Sequence, residues 1–466
     1  VCYDHGEGVE KDQEESFRYF CVSAALGYTG AIYSKAVCYE VGQGVEKDSD
    51  EALRLYRLAA EKGNPYAICK LGVMYETGDG VEEDQVEAVR LYRLASAQGD
   101  MDGHCRLAVC LKEGLGVATD VDEALRLFHI VAETGDPDAQ ARLASCYLEG
   151  AGVVRDPAMA LYWYQQAVNQ GDVDAMARLA ICYSGGEGVT QDYAKAVELF
   201  RSAAEAGDAD AQCRLGACYE SGEGVPVDMA QACYWYRKSA DNGYPSAQCR
   251  LGACYEHGVG VAVNVEEAAG WYRKAADQDH DDGYCRLALC YLSGSGVEIN
   301  REEAVRLFSK SASTGDAYSQ YYLGWCHENG EGVPGVDFFE ASRWYRAASD
   351  QDDPYALFAL GQLYESGMGV DSIDIIEAMR YYKRAAKVGS ESAIEHIPTL
   401  KNLYEEAVWS NRKAFLLFLA SYQFIYRPAA PGATLAHLPD YAAPDPDVVH
   451  TVFHIEEMRR EIMSFL

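Results

Sequence analysis

The chain has 466 residues, more than one compact core holds, and its 40 basic against 73 acidic residues leave a formal net charge of -33. Acid spread along the whole length repels phosphate backbones and anionic lipid, which need neutralising Lys and Arg, so nucleic acid and membrane surfaces are excluded as partners. No apolar run approaches the roughly 20 residues of a membrane-spanning helix, the longest being Ala414 to Ala420.

Residues 1–26 read as the back half of a repeat, so the natural N-terminus is expected to be missing and a preceding signal segment stays open. Ten complete units follow, starting at Gly27, Gly63, Gly99, Gly135, Gly171, Gly207, Gly243, Asp279, Gly315 and Asp352 and ending near Gly389. The period is 36 residues, with one extra residue after the turn in each of the last two units. A period of this size signals a solenoid, in which each unit buries its apolar face only against its neighbours.

The copy beginning at Gly207 shows the pattern of a unit. Ala211, Leu215, Cys218 and Tyr219 recur at helical spacing after an N-cap at Asp208, which predicts a first helix. Gly222, Gly224 and Val225 form a turn whose glycines reverse the chain. A second helix carries Ala232, Trp235, Tyr236 and Ala240 on its apolar face. In several units it opens on a D-x-x-E or N-x-x-E reading as a capping box: Asp48 with Glu51, Asp84 with Glu87, Asp120 with Glu123, Asn264 with Glu267 and Asn300 with Glu303.

The sixteen cysteines fall mainly in two columns, one running from Cys2 and Cys38 through Cys218 to Cys326, the other through Cys69, Cys105, Cys213, Cys249 and Cys285. Equivalent positions on packed helices stand about 8–10 Å apart, beyond disulfide reach. A five-residue offset within one helix points two side chains apart. Buried free thiols and a reducing, cytoplasmic setting are therefore expected. The repeated GxG follows a helix rather than a strand, which argues for a turn and against a phosphate cradle.

The consensus LG-x-C-Y-x-x-G-x-G-V, then D, then A-x-x-W-Y-R-K-A-A-x-x-G resembles the Sel1-like repeat family over residues 1 to about 389. The resemblance implies an all-α fold, an α/α solenoid superhelix related to tetratricopeptide repeats, and a non-enzymatic scaffold or adaptor that binds partner proteins or peptides. Family members assemble complexes in endoplasmic-reticulum-associated degradation, chitin-synthase regulation and bacterial host interaction. One secreted bacterial branch bridges the second helix of a repeat to the next first helix through cysteines. This chain keeps Cys249 and Cys285 but has Ala240 and Ala276 where the partners would stand. No cofactor and no catalytic residue is expected.

Beyond Gly389 the repeat dissolves. Residues 390–427 read as a helical cap, 428–447 as a Pro/Ala-rich linker, and 448–466 as an amphipathic helix that docks a partner or begins another domain. The final IEEMRREIMSFL resembles the first helix of an F-box, with His454 and Ile455 in place of its usual Leu-Pro start. This gives a ubiquitin-ligase adaptor as an alternative function, and a hydrolase related to secreted relatives is another. Ser410 to Lys413 forms an S-x-x-K without its companion motifs. His450 and His454 share a helical spacing but have no third ligand beside them, which reads as solvated histidines.

Two columns stand out as candidate partner-binding positions. One is a ladder of bases in the first helices: Lys70, Arg106, Arg142, Arg178, Arg214, Arg250 and Arg286. Most have an acid four residues earlier, as in Asp102 with Arg106 and Asp210 with Arg214, a favourable i,i+4 order. The ladder reads either as a solvated salt-bridged face or as a strip on the inner surface that binds an acidic or polar segment. The other is repeat nine, where Tyr318 and Tyr322 replace the acid and the base, Trp325 stands in place of Ala or Val, and Tyr355 follows in repeat ten. These aromatics read as a peptide-binding patch or as residues buried under the cap.

Overall fold

The computed structural model describes residues 12–400. The expectations at residues 1–11, in the rest of the cap, in the linker and in the C-terminal helix lie outside them, as do Ser410 to Lys413, His450 and His454. Every element from Gln13–Ala25 to Ile375–Lys387 is a helix, residues 391–400 are helical too, and no strand occurs among the described residues. The chain divides into two compact units, Val1–Asn242 and Gly243–Leu466. Within each, short helices pack against their neighbours in sequence, the all-α solenoid expected from the period.

Local chemistry sets the helix bounds. In repeat six the first helix is Ala209–Ser221, and the Asp208 side chain accepts the Ala211 N–H at 2.6 Å. It ends at Gly222, whose φ of 80° is the left-handed conformation of a glycine cap, with its N–H donating to Cys218 O. Gly224 has a second reason to be glycine: a Cβ there would meet the Tyr193 carbonyl oxygen at 2.3 Å, so the turn packs on the start of the preceding second helix. Asp279 and Asp352 hold left-handed φ values of 57° and 58° where the other units have glycine, a conformation that short polar side chains tolerate.

The capping box is only half formed. Asp48 and Asp84 accept the N–H groups of Glu51 and Glu87 at 2.9 Å. Their own N–H groups donate to the carbonyls of Tyr39 and Tyr75 in the preceding helix, so nothing remains for the glutamates to cap. Glu51 instead forms a two-bond pair with Arg54, and Glu87 one with Arg90. The Arg54 hydrogen bonds hold the Glu51 carboxyl below its usual pKa, with burial opposing them.

All fifteen described cysteines are free thiols, and all but Cys21 and Cys105 are buried. They lie among Ala, Leu and Tyr in the repeat cores, as Cys218 does beside Leu215 and Trp235. Burial pushes the Cys182 and Cys290 thiols up to about 11 and the Cys69 and Cys285 thiols up to about 12. No described helix is long and apolar enough to cross a membrane.

Candidate partner-binding groove

A part-buried Tyr–Glu pair recurs at one position in repeats of each unit and bears on where the groove forms. In repeat seven, Tyr272 on the second helix (Val265–Ala276) donates its hydroxyl to Glu256 on the first (Pro245–His257) at 2.6 Å. Tyr56 bonds Glu40, Tyr92 bonds Glu76, Tyr236 bonds Glu220, Tyr345 bonds Glu328 at 2.5 Å, and Tyr382 bonds Glu365 at 2.7 Å. Repeats three, five and eight have Phe128, Phe200 and Phe308, and at the glutamate position Lys112, Ser184 and Leu292. Tyr164 is the exception, bonding Ser145 instead. Most of the tyrosine rings also press on a glycine: a Cβ on Gly252 would stand 2.5 Å from Tyr272 Cε1. Ala36 beside Tyr56 makes glycine the common rather than the obligatory companion.

The base ladder belongs to the same column. Lys70 pairs with Glu40 at 2.8 Å and Arg106 with Glu76 at 3.4 Å, each joining one repeat to the previous one. The expected Asp102–Arg106 pair is replaced by this contact, because a tyrosine-bonded carboxylate lies within reach across the repeat boundary. Where that glutamate is missing, the ladder base turns to its own helix, as in Arg142 with Asp138, Arg178 with Asp174 and Arg214 with Asp210. Arg286 departs from this rule: although Glu256 precedes it, it bonds Asp282 in its own helix at 2.8 Å and lies over the Tyr272 ring, 5.7 Å from its centroid. Arg250 is partnered as well.

Repeats nine and ten keep the Tyr–Glu pair and depart from the base ladder. Tyr322 takes the ladder position and stacks on Phe308, with centroids 5.3 Å apart and planes 5° apart. Tyr318 meets Tyr322 edge to face at 4.9 Å, and their hydroxyls lie 3.2 Å apart. Tyr321 continues the array toward Tyr345 at 5.7 Å and Tyr355 at 5.6 Å. Beyond it a groove of about 640 Å³ opens between the first helices of repeats nine (Ala317–Asn329) and ten (Pro354–Ser366) and residues 389–392. Trp325, Tyr355, Tyr321 and Phe358 supply its aromatic walls, and the fully buried Tyr345 contributes to its lining. Glu328 and Glu391 bring negative charge, and among the described residues no Lys or Arg lines it. Burial, reinforced by the bond to Glu328, pushes the Tyr345 hydroxyl far above its ordinary pKa, so it remains a donor.

Of the four aromatics expected at a site, the groove joins Trp325 and Tyr355, while Tyr322 sits against Phe308 and Tyr318 against Tyr322, neither lining it. Tyr355 remains 59 % exposed and Tyr318 39 % exposed. The described start of the cap lends residues 390–392 to the groove wall and then packs Ala393 and Leu400 on Leu357, Met379 and Tyr382, with His396 reaching Glu365 at 2.9 Å. Arg214, Arg250 and Arg286 do not line the groove. Tyr321, Glu328, Phe358 and Ala359 were not among the expected site residues. The pairing of Tyr with Glu, and its replacement by Phe, is the repeat-to-repeat signal that marks the column. Among the described residues no cluster of His, Cys, Asp and Glu is placed to hold a metal.

The Sel1 repeat model matches this chain eleven times, at residues 1–28, 31–64, 65–100, 102–136, 137–172, 173–208, 209–244, 245–280, 281–316, 317–353 and 354–390. Among solved structures, c5321, a protective antigen of uropathogenic Escherichia coli strains with an SLR fold, is 32 % identical. That match has a TM-score of 0.64 and covers 94 % of this chain and 95 % of that one. A Sel1 repeat protein from Oxalobacter formigenes is 29 % identical with a TM-score of 0.48, over 67 % of this chain and 89 % of its own. No curated protein matches the sequence.

Proposed function

As the chain belongs to the Sel1 repeat family, whose members are in general protein-interaction scaffolds, we propose that it is an adaptor holding a segment of a partner protein against the first helices of repeats nine and ten. The groove of about 640 Å³ with exposed Tyr355 and part-exposed Trp325 on its walls carries this reading. That volume admits several side chains of an extended peptide, and Trp and Tyr are the side chains that dominate binding energy at interfaces. Elsewhere the first-helix face is laced with internal ion pairs, which leaves its bases committed within the chain. In this role the chain contributes shape and contacts, and no bond-making chemistry.

The test is site-specific photocrosslinking. A benzophenone amino acid at position 355 should capture a discrete partner in cells, whereas the same group at Tyr162, an exposed position on a second helix of the other unit, should not. Equal capture at both positions, or none at 355, would refute the assignment.

A further inference from the structure

The groove opens beside the one described Tyr–Glu pair whose following ladder position carries no basic side chain. Beside Glu40, Glu76 and Glu365, the ladder position of the following repeat supplies Lys70, Arg106 and His396. Beside the Tyr272–Glu256 pair it supplies Arg286, which stands over the Tyr272 ring. Beside Tyr345–Glu328 the same position is Ala359. Glu328 accepts the Tyr345 hydroxyl, and among the described residues no cation pairs with it. The side chain that elsewhere fills this space ends here at Cβ, and Ala359 lines the opening.

The rings show the same vacancy. Outside the groove many aromatics carry an internal cation: Lys274 over Trp271 at 3.6 Å, Lys238 over Trp235 at 5.3 Å, Lys310 over Tyr284 at 4.8 Å and Arg343 over Trp344 at 5.4 Å. Among the described residues no Lys or Arg stands over Tyr321, Trp325, Tyr355 or Phe358. A guanidinium or ammonium is attracted to such ring faces and more strongly to a carboxylate in the same recess.

We propose that a partner supplies the missing rung: the groove takes an extended basic segment whose arginine or lysine reaches Glu328 in the space left at Ala359, while apolar neighbours lie on Trp325 and Tyr355. This inference rests on the groove being the partner site and adds what kind of segment it holds. Charge complementarity favours this occupant over an acidic or neutral one, since Glu328 and Glu391 are the charged lining groups.

A displayed library of random octapeptides, selected on the full chain after depletion on the Trp325→Ala/Tyr355→Ala variant, tests it. The depletion removes peptides drawn merely to the acidic surface. The surviving peptides should be enriched in Arg and Lys and depleted of Asp and Glu. Their affinity should fall about tenfold or more with Glu328→Gln, which keeps an acceptor for Tyr345 but removes the charge. Ala359→Arg, which rebuilds the rung from inside, should abolish binding while helicity and melting temperature hold. Groove-dependent peptides without basic residues, or with affinity indifferent to both variants, would overturn the proposal and leave the groove a peptide site. Recovery of no groove-dependent peptide would overturn the site reading itself. A wild-type dimer lost in the Trp325→Ala/Tyr355→Ala variant would seat a second copy there and overturn the basic-segment occupant.

Discussion

Tyr272→Phe removes one hydroxyl from a fully packed ring, and the chain itself supplies the control. The lost bond is a 2.6 Å contact from a phenol to the Glu256 carboxylate. Hydrogen bonds to charged groups are worth about 1.5–3 kcal/mol, and the Tyr272 side chain is 1 % exposed, so water does not replace the donor on the phenol side. Glu256 keeps about a third of its exposure and is partly resolvated, which places the cost of the single change at the lower end, about 1–2 kcal/mol. Glu256→Leu added to it recreates the Leu292–Phe308 arrangement of the next repeat and should recover most of that loss. Arg286 keeps its bond to Asp282 throughout. Repeat arrays unfold in parts, so the assay is native-state hydrogen exchange of the amides in Pro245–His257 and Val265–Ala276 rather than one melting point. A double-mutant cycle with no coupling between positions 256 and 272 would refute the claim that the Tyr–Glu bond stabilises the repeat.

Gly252→Ala should destabilise the same repeat by about 1–3 kcal/mol, because the new methyl meets the Tyr272 ring at 2.5 Å and overpacks the core; urea denaturation that matches the wild type would count against the close packing. The buried thiols titrate late, at about 11 for Cys182 and Cys290 and about 12 for Cys285. A raised folded pKa means that protonation favours the folded chain. That stability is complete below the unfolded thiol value of about 8.5 and is lost as pH rises toward the folded values. Circular dichroism across pH 8–11 should therefore show stability falling above about pH 9, and native thiols should react slowly with a disulfide reagent at pH 8 until urea exposes them. Stability that rises over this range would contradict the burial of the thiols.

The 36-residue period, the Asp caps and the apolar spacing made the helix pairs and turns legible. The partners of long polar side chains were less so. Glu51 reads as a capping-box residue, yet it pairs with Arg54 because Tyr39 O already accepts the N–H it would cap. Asp102 and Arg106 have the spacing of an ion pair, yet Arg106 turns to Glu76, thirty residues away in sequence and adjacent across the repeat boundary. Tyr355 was visible as a departure from a charged column, and Trp325 as a large ring where other repeats have Ala or Val. Ala359 was not, since a small residue in a helix attracts notice only once the structure shows what its equivalents touch.

If typical repeats form the frame and recognition lies where repeats nine and ten depart from it, a ligand should perturb the departure and spare the frame. Fluorine NMR of the full chain labelled with 5-fluorotryptophan separates the two, because Trp163, Trp235 and Trp271 lie in the frame and Trp325 in the groove. Titration with an arginine-bearing peptide recovered on the groove should shift the Trp325 resonance, assigned by Trp325→Phe, and leave those of Trp163, Trp235 and Trp271 in place. Shifts at the frame tryptophans with Trp325 unmoved would contradict this division between frame and groove.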